Sequence, residues 1–365
     1  MGRTAAWQGR PASAALAPAS VLQRVQQITS AIPGGRRLKR RLRNSPTACG
    51  VTYIASTAGR GTGFTVLTYH LILERPDPFY AYGTPLESFE RQLRLLRRFC
   101  AVLSLDEIVT RIERGRSLPA RCAALTFDDG YSDLAALTGP LLRRHGLPAT
   151  AFIAVDALER GWLWPDLVRH ALRTTTASYV ELETLSDGGP RTFALDSLAH
   201  RLTAVARLDA RLKRLADQVK WTVLEELAWK LLSTTTRELS MPGLMLTWGA
   251  LQRLARDGIS VGAHTLTHPI LTRLSAQEAA HEITASRERL EAALGRPVRH
   301  FAYPNGQPED LSPEVRRLVK WAGYHSACTM IEGFNRPGDD QWSLRRLNAN
   351  HESLRELIQT MTEAS

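Results

Sequence analysis

Cysteine is scarce in this sequence of 365 residues, which contains only Cys49, Cys100, Cys122 and Cys328, with no paired spacing such as Cys-x-x-Cys. This scarcity argues against a disulfide framework and against a zinc site built from thiolates. We expect buried thiols in a reducing compartment. A cytoplasmic protein is therefore predicted, with an exported protein as the alternative.

Long apolar runs are also missing. No stretch of about 18 apolar residues occurs anywhere, which argues against a membrane-spanning helix. The uncharged stretch between Arg10 and Arg24 is rich in Ala, Ser and Pro. Its prolines and small side chains make it a poor core for a signal peptide.

Acidic residues are absent from residues 1–48, which carry nine of the 47 basic residues. The net charge of +11 comes mostly from this segment, since 38 basic and 36 acidic residues remain elsewhere. A nearly neutral body has no electrostatic reason to bind nucleic acid. The composition of residues 1–61 predicts a disordered basic tail.

Within this tail, apolar residues at helical spacing from Val21 to Ile32 precede a basic run from Arg36 to Arg41. An amphipathic helix beside basic residues is suited to peripheral contact with an anionic membrane surface. The alternatives are a solvated tail and residues added by an upstream start codon.

From Phe64 onwards, strand-like apolar runs alternate with helical patterns. Capping boxes at Ser104 and Ser275 mark two helix starts, and Gly146 marks a helix end. The alternation predicts an α/β fold in which residues 62–365 form a (β/α) barrel of seven or eight strands. Over about 160–245 the rhythm changes to apolar residues every three or four positions, which predicts a helical insertion containing a long amphipathic helix at 198–219.

Two adjacent carboxylates end one of these predicted strands. Asp128 and Asp129 follow the apolar run from Cys122 to Phe127, and Gly130 permits a sharp turn after them. Catalytic groups gather at the carboxyl ends of strands in α/β folds. Taken alone, Asp-Asp-Gly is equally consistent with an ordinary turn.

Two histidines, four residues apart, follow another predicted strand. His264 and His268 can face one point if the segment turns helically. Imidazole suits zinc and other first-row divalent ions, and one added carboxylate would leave a coordination position open for water. Structural histidines are the alternative for this spacing. Thr265 excludes the His-Glu-x-x-His pattern of metalloproteases.

These motifs together resemble those of the polysaccharide deacetylases, the NodB-homology group of carbohydrate esterase family four. The segment Thr126 to Gly130 is similar to the family's first motif, His264 to His268 to its second, and Phe301 to Gly306 to its third. The resemblance covers roughly residues 64–365. It implies a distorted barrel of fewer than eight strands, a divalent metal that is usually zinc, and hydrolysis of N-acetyl groups on amino sugars.

Carried over residue by residue, the resemblance implies that Asp129, His264 and His268 bind the metal and that Asp128 is the general base. Adjacent side chains of an extended strand point in opposite directions, which agrees with one ligand and one base. A metal lowers the pKa of bound water, and a carboxylate beside it removes the proton.

Further residues are expected at the mouth of the barrel. His70, directly after the first strand, resembles a histidine at this place in related deacetylases, so we predict a catalytic role, with structural packing as the alternative. The turn of Tyr303, Pro304 and Asn305 is predicted to bind substrate and to offer a backbone N–H to the oxyanion.

The chain departs from the family pattern in two places. The third motif often carries an arginine that orients the basic aspartate, whereas this chain has Ala302; Arg299, Arg345 and Arg346 are the candidate replacements. A late histidine usually protonates the leaving amine. His351 lies late in the chain but lacks the expected apolar strand before it.

The sequence therefore predicts a metal-dependent hydrolase that removes N-acetyl groups from a polysaccharide or oligosaccharide. The alternatives are a metal-dependent hydrolase of a small non-sugar amide and an inactive glycan-binding barrel, since resemblance to a family does not determine the substrate. An inactive binder is expected to lose an aspartate or a histidine, and both pairs are present.

Overall fold

The protein is described by a computed structural model that covers residues 49–50, 62–351 and 353–363. The predicted tail, 1–61, lies almost entirely outside the described residues, as does its predicted membrane contact. The strands within the described part are β1 (Phe64–Tyr69), β2 (Ile72–Leu73), β3 (Thr84–Pro85), β4 (Ala101–Val102), β5 (Cys122–Phe127), β6 (Thr150–Ile153), β7 (Tyr179–Glu181), β8 (Thr192–Ala194), β9 (Ser260–Ala263), β10 (His300–Ala302), β11 (Ser326–Glu332) and β12 (Leu344–Asn348).

Seven parallel strands form a closed barrel in the order β1-β12-β11-β10-β9-β6-β5, because β5 pairs back with β1. The register of the closing pair runs from Phe64 opposite Cys122 to Tyr69 opposite Phe127. Strand β4 extends the sheet beyond β5. The predicted distorted (β/α) barrel of seven or eight strands is confirmed.

Helices connect and surround these strands. Within the described residues they are α1 (Leu86–Phe99), α2 (Leu105–Glu113), α3 (Gly139–His145), α4 (Ala157–Arg160), α5 (Trp164–Thr174), α6 (Leu198–Leu212), α7 (Asp217–Leu232), α8 (Trp248–Arg256), α9 (Ala276–Leu294), α10 (Pro313–Trp321) and α11 (Leu354–Glu363). The Ser104 and Ser275 hydroxyls accept from the amides three residues on, and Gly146 ends α3 in a left-handed conformation. No described helix has the length and apolar character that a membrane crossing requires.

Alternation along the strands divides the apolar side chains between two layers. Val66, Ala124 and Phe152 belong to a cluster that α2 joins through Leu105 and Ile108. The neighbouring strand positions, such as Leu67 and Leu125, pack instead with the surrounding helices. Because side chains alternate along a strand, every second strand residue points to the inside of the barrel.

The insertion over about 160–245 has its own apolar cluster, built from α5, α6 and α7 and the antiparallel pair of β7 and β8. The single long helix predicted for 198–219 is wrong, because the chain leaves the helical conformation at 213–216. Ala216 has a ψ of 145°. The break lets both α6 and α7 pack against α5, which one straight helix of that length would not do.

The described cysteines form no disulfide; Cys49, Cys122 and Cys328 are buried and Cys100 is half-buried. Burial raises the pKa of the Cys122 thiol to about 12 and that of Cys328 to about 12. These thiols are therefore protonated and unreactive at neutral pH. The cytoplasmic location stays a prediction.

Candidate metal centre and active site

Three potential metal ligands meet at the carboxyl-terminal rim of the barrel. Asp129 follows β5, and His264 and His268 follow β9. The Nε2 atoms of His264 and His268 lie 3.6 Å and 3.3 Å from Asp129 Oδ1. One ligand atom from each residue lies within 4.8 Å of the others. The structure thus brings together the residues that the sequence singled out, and their role as ligands stays a prediction.

These donor atoms fit a divalent cation. Asp129 Oδ1 is buried and has no hydrogen-bond partner among the described atoms. A buried carboxylate oxygen without a partner is unfavourable unless a cation or a donor satisfies it. Two imidazoles and one carboxylate form a donor set that zinc accepts, with a position left over for water.

A backbone contact determines which nitrogen of His264 faces the site. Nδ1 lies 2.7 Å from the Ala302 carbonyl oxygen, so Nδ1–H donates to it and Nε2 keeps its lone pair toward Asp129. Burial, which outweighs the nearby charge of Asp128, lowers the pKa of His264 to about 4. The imidazole is therefore neutral at pH 7, the form that binds metals.

The two adjacent aspartates diverge because the backbone turns between them. The Asp128 amide still donates to the Tyr69 carbonyl across the barrel strands (2.9 Å). Asp129 then adopts a left-handed conformation with φ of 77°, and Gly130 follows with φ of 96°. The turn carries the Asp129 carboxylate to the histidines and leaves that of Asp128 on the inside of the barrel.

Left-handed backbone is concentrated at this rim. Among the described residues, six non-glycine residues have positive φ, and four of them are Asp129, Thr265, His268 and Asn305. Each such residue costs on the order of 1–3 kcal/mol and persists only where surrounding contacts hold it. This concentration singles out the rim as the place where the fold maintains an unfavourable backbone.

Arg346, on β12, holds the Asp128 carboxylate in a bidentate pair. Its Nη1 and Nη2 each lie 2.7 Å from one carboxylate oxygen, and its Nε donates to the Thr329 carbonyl at 2.7 Å. Both side chains of the pair are buried, at 0% and 1% exposure. Of the three arginines that the sequence left open, Arg346 occupies the position beside the predicted base.

The other two arginines lie elsewhere. Arg299 pairs with Asp106 at 3.0 Å, and both side chains are more than 40% exposed. Arg345 is exposed, because its neighbour Arg346 points into the barrel and side chains alternate along β12. Neither therefore replaces the arginine of the third motif.

The charges around the two aspartates keep both carboxylates ionised. Burial alone would raise the pKa of Asp128, but the charge and hydrogen bonds of Arg346 outweigh it and hold this pKa below its usual value. For Asp129, burial is likewise outweighed, first by the imidazole of His268, whose Nε2 lies 3.3 Å from Asp129 Oδ1, and the pKa is again lowered. Ionised carboxylates are what a ligand and a base require.

His70 lines the same cleft as the candidate ligand histidines. Its Nδ1 is buried without a hydrogen-bond partner among the described atoms, and its ring makes an edge contact with Tyr82 at 6.0 Å. The structure therefore places His70 in the cleft beside Asp128 and Asp129, and its catalytic role stays a prediction.

The turn after β10 contributes unequally to the cleft. Tyr303 and Asn305 line it, whereas Pro304 is not among the lining residues. The Tyr303 amide already donates to the Cys328 carbonyl at 3.0 Å, and the Gly306 amide to the Pro304 carbonyl at 2.7 Å. Since proline has no N–H, Asn305 is the residue of this turn left to offer a backbone donor.

His351 does not line the cleft. Its Nε2 lies 3.0 Å from Thr360 Oγ1 on α11, and the side chain is half-buried. A role for His351 in protonating the leaving amine has no support in this position.

The helical insertion supplies the second wall of the cleft, which has a volume of about 300 Å³. Residues that the sequence did not single out line it, among them Tyr82, Tyr131, Arg169, Asp209, Lys213 and Asn350. Tyr131 directly follows the first motif, and this adjacency is the one signal that could have pointed to it.

Hydrogen bonds connect residues of the insertion with residues of the barrel around the cleft. The hydroxyl oxygens of Tyr82 and Tyr131 lie 3.0 Å apart, and Tyr131 donates to Asp166 Oδ1 at 3.0 Å. Burial raises the pKa of Asp166 to about 6. Arg169 donates to Asp209 Oδ2 at 2.6 Å and to the Phe79 carbonyl at 3.0 Å. The cleft is thus bounded by groups whose positions are held by hydrogen bonds.

Comparison with known proteins agrees with this description. The polysaccharide deacetylase family model matches residues 115–186 and 221–327. Those segments contain both aspartates, both histidines and the turn after β10. The comparison with curated proteins gives no match.

Several solved structures are similar. Deacetylase PplD of Streptococcus pyogenes, solved with acetate, is 17% identical with a TM-score of 0.55, over 82% of this chain and 98% of that one. IcaB of Ammonifex degensii is 18% identical with a TM-score of 0.54, over 83% and 98%. A de-N-acetylase of Aggregatibacter actinomycetemcomitans is 13% identical with a TM-score of 0.51, over 81% and 99%. At these identities the likeness shows a shared fold.

Proposed function

Because the chain belongs to the polysaccharide deacetylase family, we propose that it removes N-acetyl groups from amino sugars with the help of a divalent metal. Members of this family are hydrolases that act on carbon–nitrogen bonds other than peptide bonds. The proposed substrate is an N-acetylated polysaccharide or oligosaccharide. The proposed metal is zinc, and its proposed ligands are Asp129, His264 and His268.

One observation carries this proposal above the others. The cluster of Asp129, His264 and His268 lies beside a second carboxylate, Asp128, that Arg346 holds in place without occupying the cleft. The proposed reaction needs one carboxylate that binds the metal and one that acts as a base. Asp129 and Asp128 can take these two roles, because Asp129 faces the histidines and Asp128 is paired with Arg346. A glycan-binding barrel without chemistry would have no use for this division.

The chemistry follows from the weak electrophilicity of an amide. A bound divalent metal would lower the pKa of a water molecule and polarise the acetyl carbonyl. Asp128 then takes the proton of the attacking water, and the new carbon–oxygen bond places negative charge on the former carbonyl oxygen. The Asn305 N–H is the backbone donor proposed to stabilise that charge.

His70 is the proposed proton donor to the leaving nitrogen. As the carbon–nitrogen bond breaks, the amine needs a proton, and His70 faces the cleft with no competing hydrogen bond at Nδ1 among the described atoms. The products are acetate and a free amino sugar. Tyr303 and Asn305 are proposed to contact the sugar, whereas Pro304 contributes only to the shape of the turn.

The test is acetate release from N-acetylglucosamine oligomers by protein that is untreated, stripped by a chelator, or stripped and reloaded with zinc. We expect release to be lost on stripping and restored by reloading. Activity that persists after metal analysis has verified complete removal would contradict the proposed metal dependence.

A panel of small N-acetyl amides in the same assay addresses the alternative substrate class. We expect the oligosaccharides to be better substrates by kcat/KM, because the cleft extends from the site toward the wall formed by the insertion. Preference for a non-sugar amide would replace the proposed substrate. If the zinc-loaded protein binds oligosaccharides but releases acetate from none of the compounds tested, it is a glycan-binding barrel without deacetylase activity.

A further inference from the structure

The segment between the two candidate ligand histidines belongs to no helix or strand. It turns twice through left-handed backbone, at Thr265 with φ of 68° and at His268 with φ of 61°. Neither residue is glycine, so this conformation needs support from outside the segment. Since the distance between the two imidazoles depends on these turns, whatever supports the segment also sets the geometry of the metal site.

Part of the support comes from the barrel side. The Val155 and Asp156 amides donate to the carbonyls of Thr265 and Leu266 at 3.1 Å and 2.9 Å. The Thr265 hydroxyl accepts from the His268 amide at 3.1 Å. These contacts satisfy the carbonyls and the last amide, but the amides of Leu266 and Thr267 point the other way.

One side chain accepts hydrogen bonds from these two amides. Glu282, in the second turn of α9, accepts from the Leu266 and Thr267 amides through Oε2 at 2.8 Å and 3.0 Å. Its Oε1 accepts from the Thr267 hydroxyl at 2.7 Å. The side chain is buried, with 8% of the residue exposed. A buried carboxylate with three donors, two of them backbone amides, holds a loop more tightly than neutral hydrogen bonds do.

We propose that Glu282 is a positioning residue for the metal site, which holds the segment between His264 and His268 in the conformation that aims both imidazoles at Asp129. Glu282 is not among the residues that line the cleft, and its hydrogen bonds go to Leu266 and Thr267, not to the candidate ligand side chains. The inference rests on the proposed function for the identity of the ligand, and it concerns metal affinity, a property that can be measured without any substrate.

The chain contains a matched control. Glu226, in the helical insertion, accepts from two successive amides, Glu183 and Thr184 (2.8 Å and 2.9 Å), and from the Thr184 hydroxyl. It also pairs with Lys230 at 2.9 Å. Replacing Glu226 with alanine therefore removes the same set of hydrogen bonds, and one ion pair in addition, at a loop that does not carry the candidate ligands.

The experiment is calorimetric titration of the metal-free, folded full chain with Zn²⁺ and with Co²⁺, for wild type, Glu282→Ala, Glu282→Gln and Glu226→Ala. We expect Glu282→Ala to weaken metal affinity roughly 10- to 100-fold, as loss of a supporting contact does. Glu226→Ala should bind as wild type does. Urea unfolding midpoints should fall for both alanine variants, which separates stability from metal geometry.

Glu282→Gln keeps the proposal testable if the alanine variant does not fold. The glutamine carbonyl oxygen can still accept from both amides, while its NH₂ group faces a Thr267 hydroxyl that is able to accept. We expect an affinity between those of wild type and Glu282→Ala. Wild-type affinity in both Glu282 variants would overturn the proposal, as would equal weakening by Glu226→Ala.

The outcome is separable from that of the proposed function. If the chain releases no acetate but Glu282→Ala weakens metal affinity selectively, the deacetylase proposal fails and the positioning role holds. If the chain is an active deacetylase and Glu282→Ala binds metal like wild type, only the positioning role fails.

Discussion

The mouth of the barrel and the helical insertion both contain an arginine that donates two hydrogen bonds to an aspartate. At the mouth, Arg346 holds Asp128, and both side chains are buried at 0% and 1% exposure. In the insertion, Arg211 holds Asp187 near the turn between β7 and β8, with 9% and 22% exposure. The chemistry of the two pairs is the same, and their surroundings differ.

The two regions also share a glutamate that accepts from successive amides. Glu282 supports the loop between the candidate ligands, and Glu226 supports the loop that follows β7. In the insertion these contacts end in loop backbone. At the mouth they also end in loop backbone, but that loop joins His264 and His268, whose Nε2 atoms lie 3.6 Å and 3.3 Å from Asp129 Oδ1. An interaction of one kind is structural in one region and serves the site in the other, because of what lies next to it.

The largest expected difference between the two regions concerns Asp129. Asp129→Asn removes the one anionic ligand of the cluster, so we expect the bound metal to be lost and kcat/KM for deacetylation to fall about a thousandfold or more, equivalent to several kcal/mol. Metal content by elemental analysis and acetate release measure both effects.

Asp187→Asn is the control for this prediction. It neutralises an aspartate of the insertion that also has an arginine partner, and we expect metal content and kcat/KM to match wild type. If Asp129→Asn retains both metal and activity, as expected for Asp187→Asn, then Asp129 is not needed to bind the metal.

A second difference concerns the two arginine–aspartate pairs. Arg346→Met leaves the Asp128 carboxylate buried without its partner, and we expect the free energy of unfolding to fall by about 3–5 kcal/mol. Arg211→Met breaks a pair whose aspartate is 22% exposed, so water can replace the arginine there and a smaller loss, about 1 kcal/mol, is expected. Urea denaturation followed by circular dichroism measures both values.

Arg346→Lys refines this comparison. Lysine restores the positive charge but cannot form the bidentate pair with Asp128. The free energy of unfolding should therefore lie between those of Arg346→Met and wild type, while deacetylation stays impaired. If Arg346→Met and Arg211→Met lose equal stability, burial does not distinguish the two pairs.

A third expected difference, gradual in pH, lies in the pH dependence of stability. Asp133, at the barrel, accepts from the Ile72 amide at 3.0 Å and from the Thr138 hydroxyl at 3.1 Å. Burial outweighs these contacts and raises the pKa of Asp133 to about 7. Between about pH 4 and 7 the folded state therefore holds a proton that the unfolded state has released. Stability falls as pH rises, by roughly 2–4 kcal/mol in total.

Asp187 has the opposite sign. The hydrogen bonds from Arg211 lower the pKa of Asp187 to about 2, so its contribution is present above the unfolded pKa and is lost as pH falls toward 2. Urea unfolding across pH should show that Asp133→Asn flattens the curve between pH 4 and 7 and that Asp187→Asn flattens it below pH 4. A curve that Asp133→Asn leaves unchanged would contradict the raised pKa.

Much of the site followed from local features of the sequence. Asp129 ends one apolar run, and His264 ends another, so each could be placed at a strand end from its neighbours alone. Parallel strands that form one barrel place all their carboxyl ends at one rim. The fold class alone therefore brings the aspartate pair and the histidine pair to one rim, whereas the choice of Asp129 over Asp128 as the residue facing the histidines was implied by the family resemblance.

The partner of Asp128 could not be chosen in this way. Arg299, Arg345 and Arg346 all follow or lie in strands, and sequence spacing does not separate them. The choice depends on the register of β12 against β1 and β11, which turns Arg346 inward and Arg345 outward. A shift of one residue would exchange the two, because side chains alternate along a strand.

The helices show the same limit. The capping box at Ser275 and Glu278 predicted where α9 begins, but nothing local indicates that Glu282, one turn later, reaches the amides of Leu266 and Thr267. That contact exists because α9 packs against the loop after β9. The break between α6 and α7 likewise depends on the surface of α5 that both helices cover.

By itself the sequence determined the periodicity of strands and helices, their ends, and the identity of the charged and imidazole groups at the rim, since all of these depend on residues within a few positions of one another. Only the tertiary structure decided which arginine holds Asp128, which amide of the turn after β10 is available, and which glutamate supports the loop between His264 and His268. The glutamate contact to the Thr267 amide joins residues 15 positions apart, and the arginine contact to Asp128 joins residues 218 positions apart. They exist only once the closing pair of β1 and β5 has brought distant segments together.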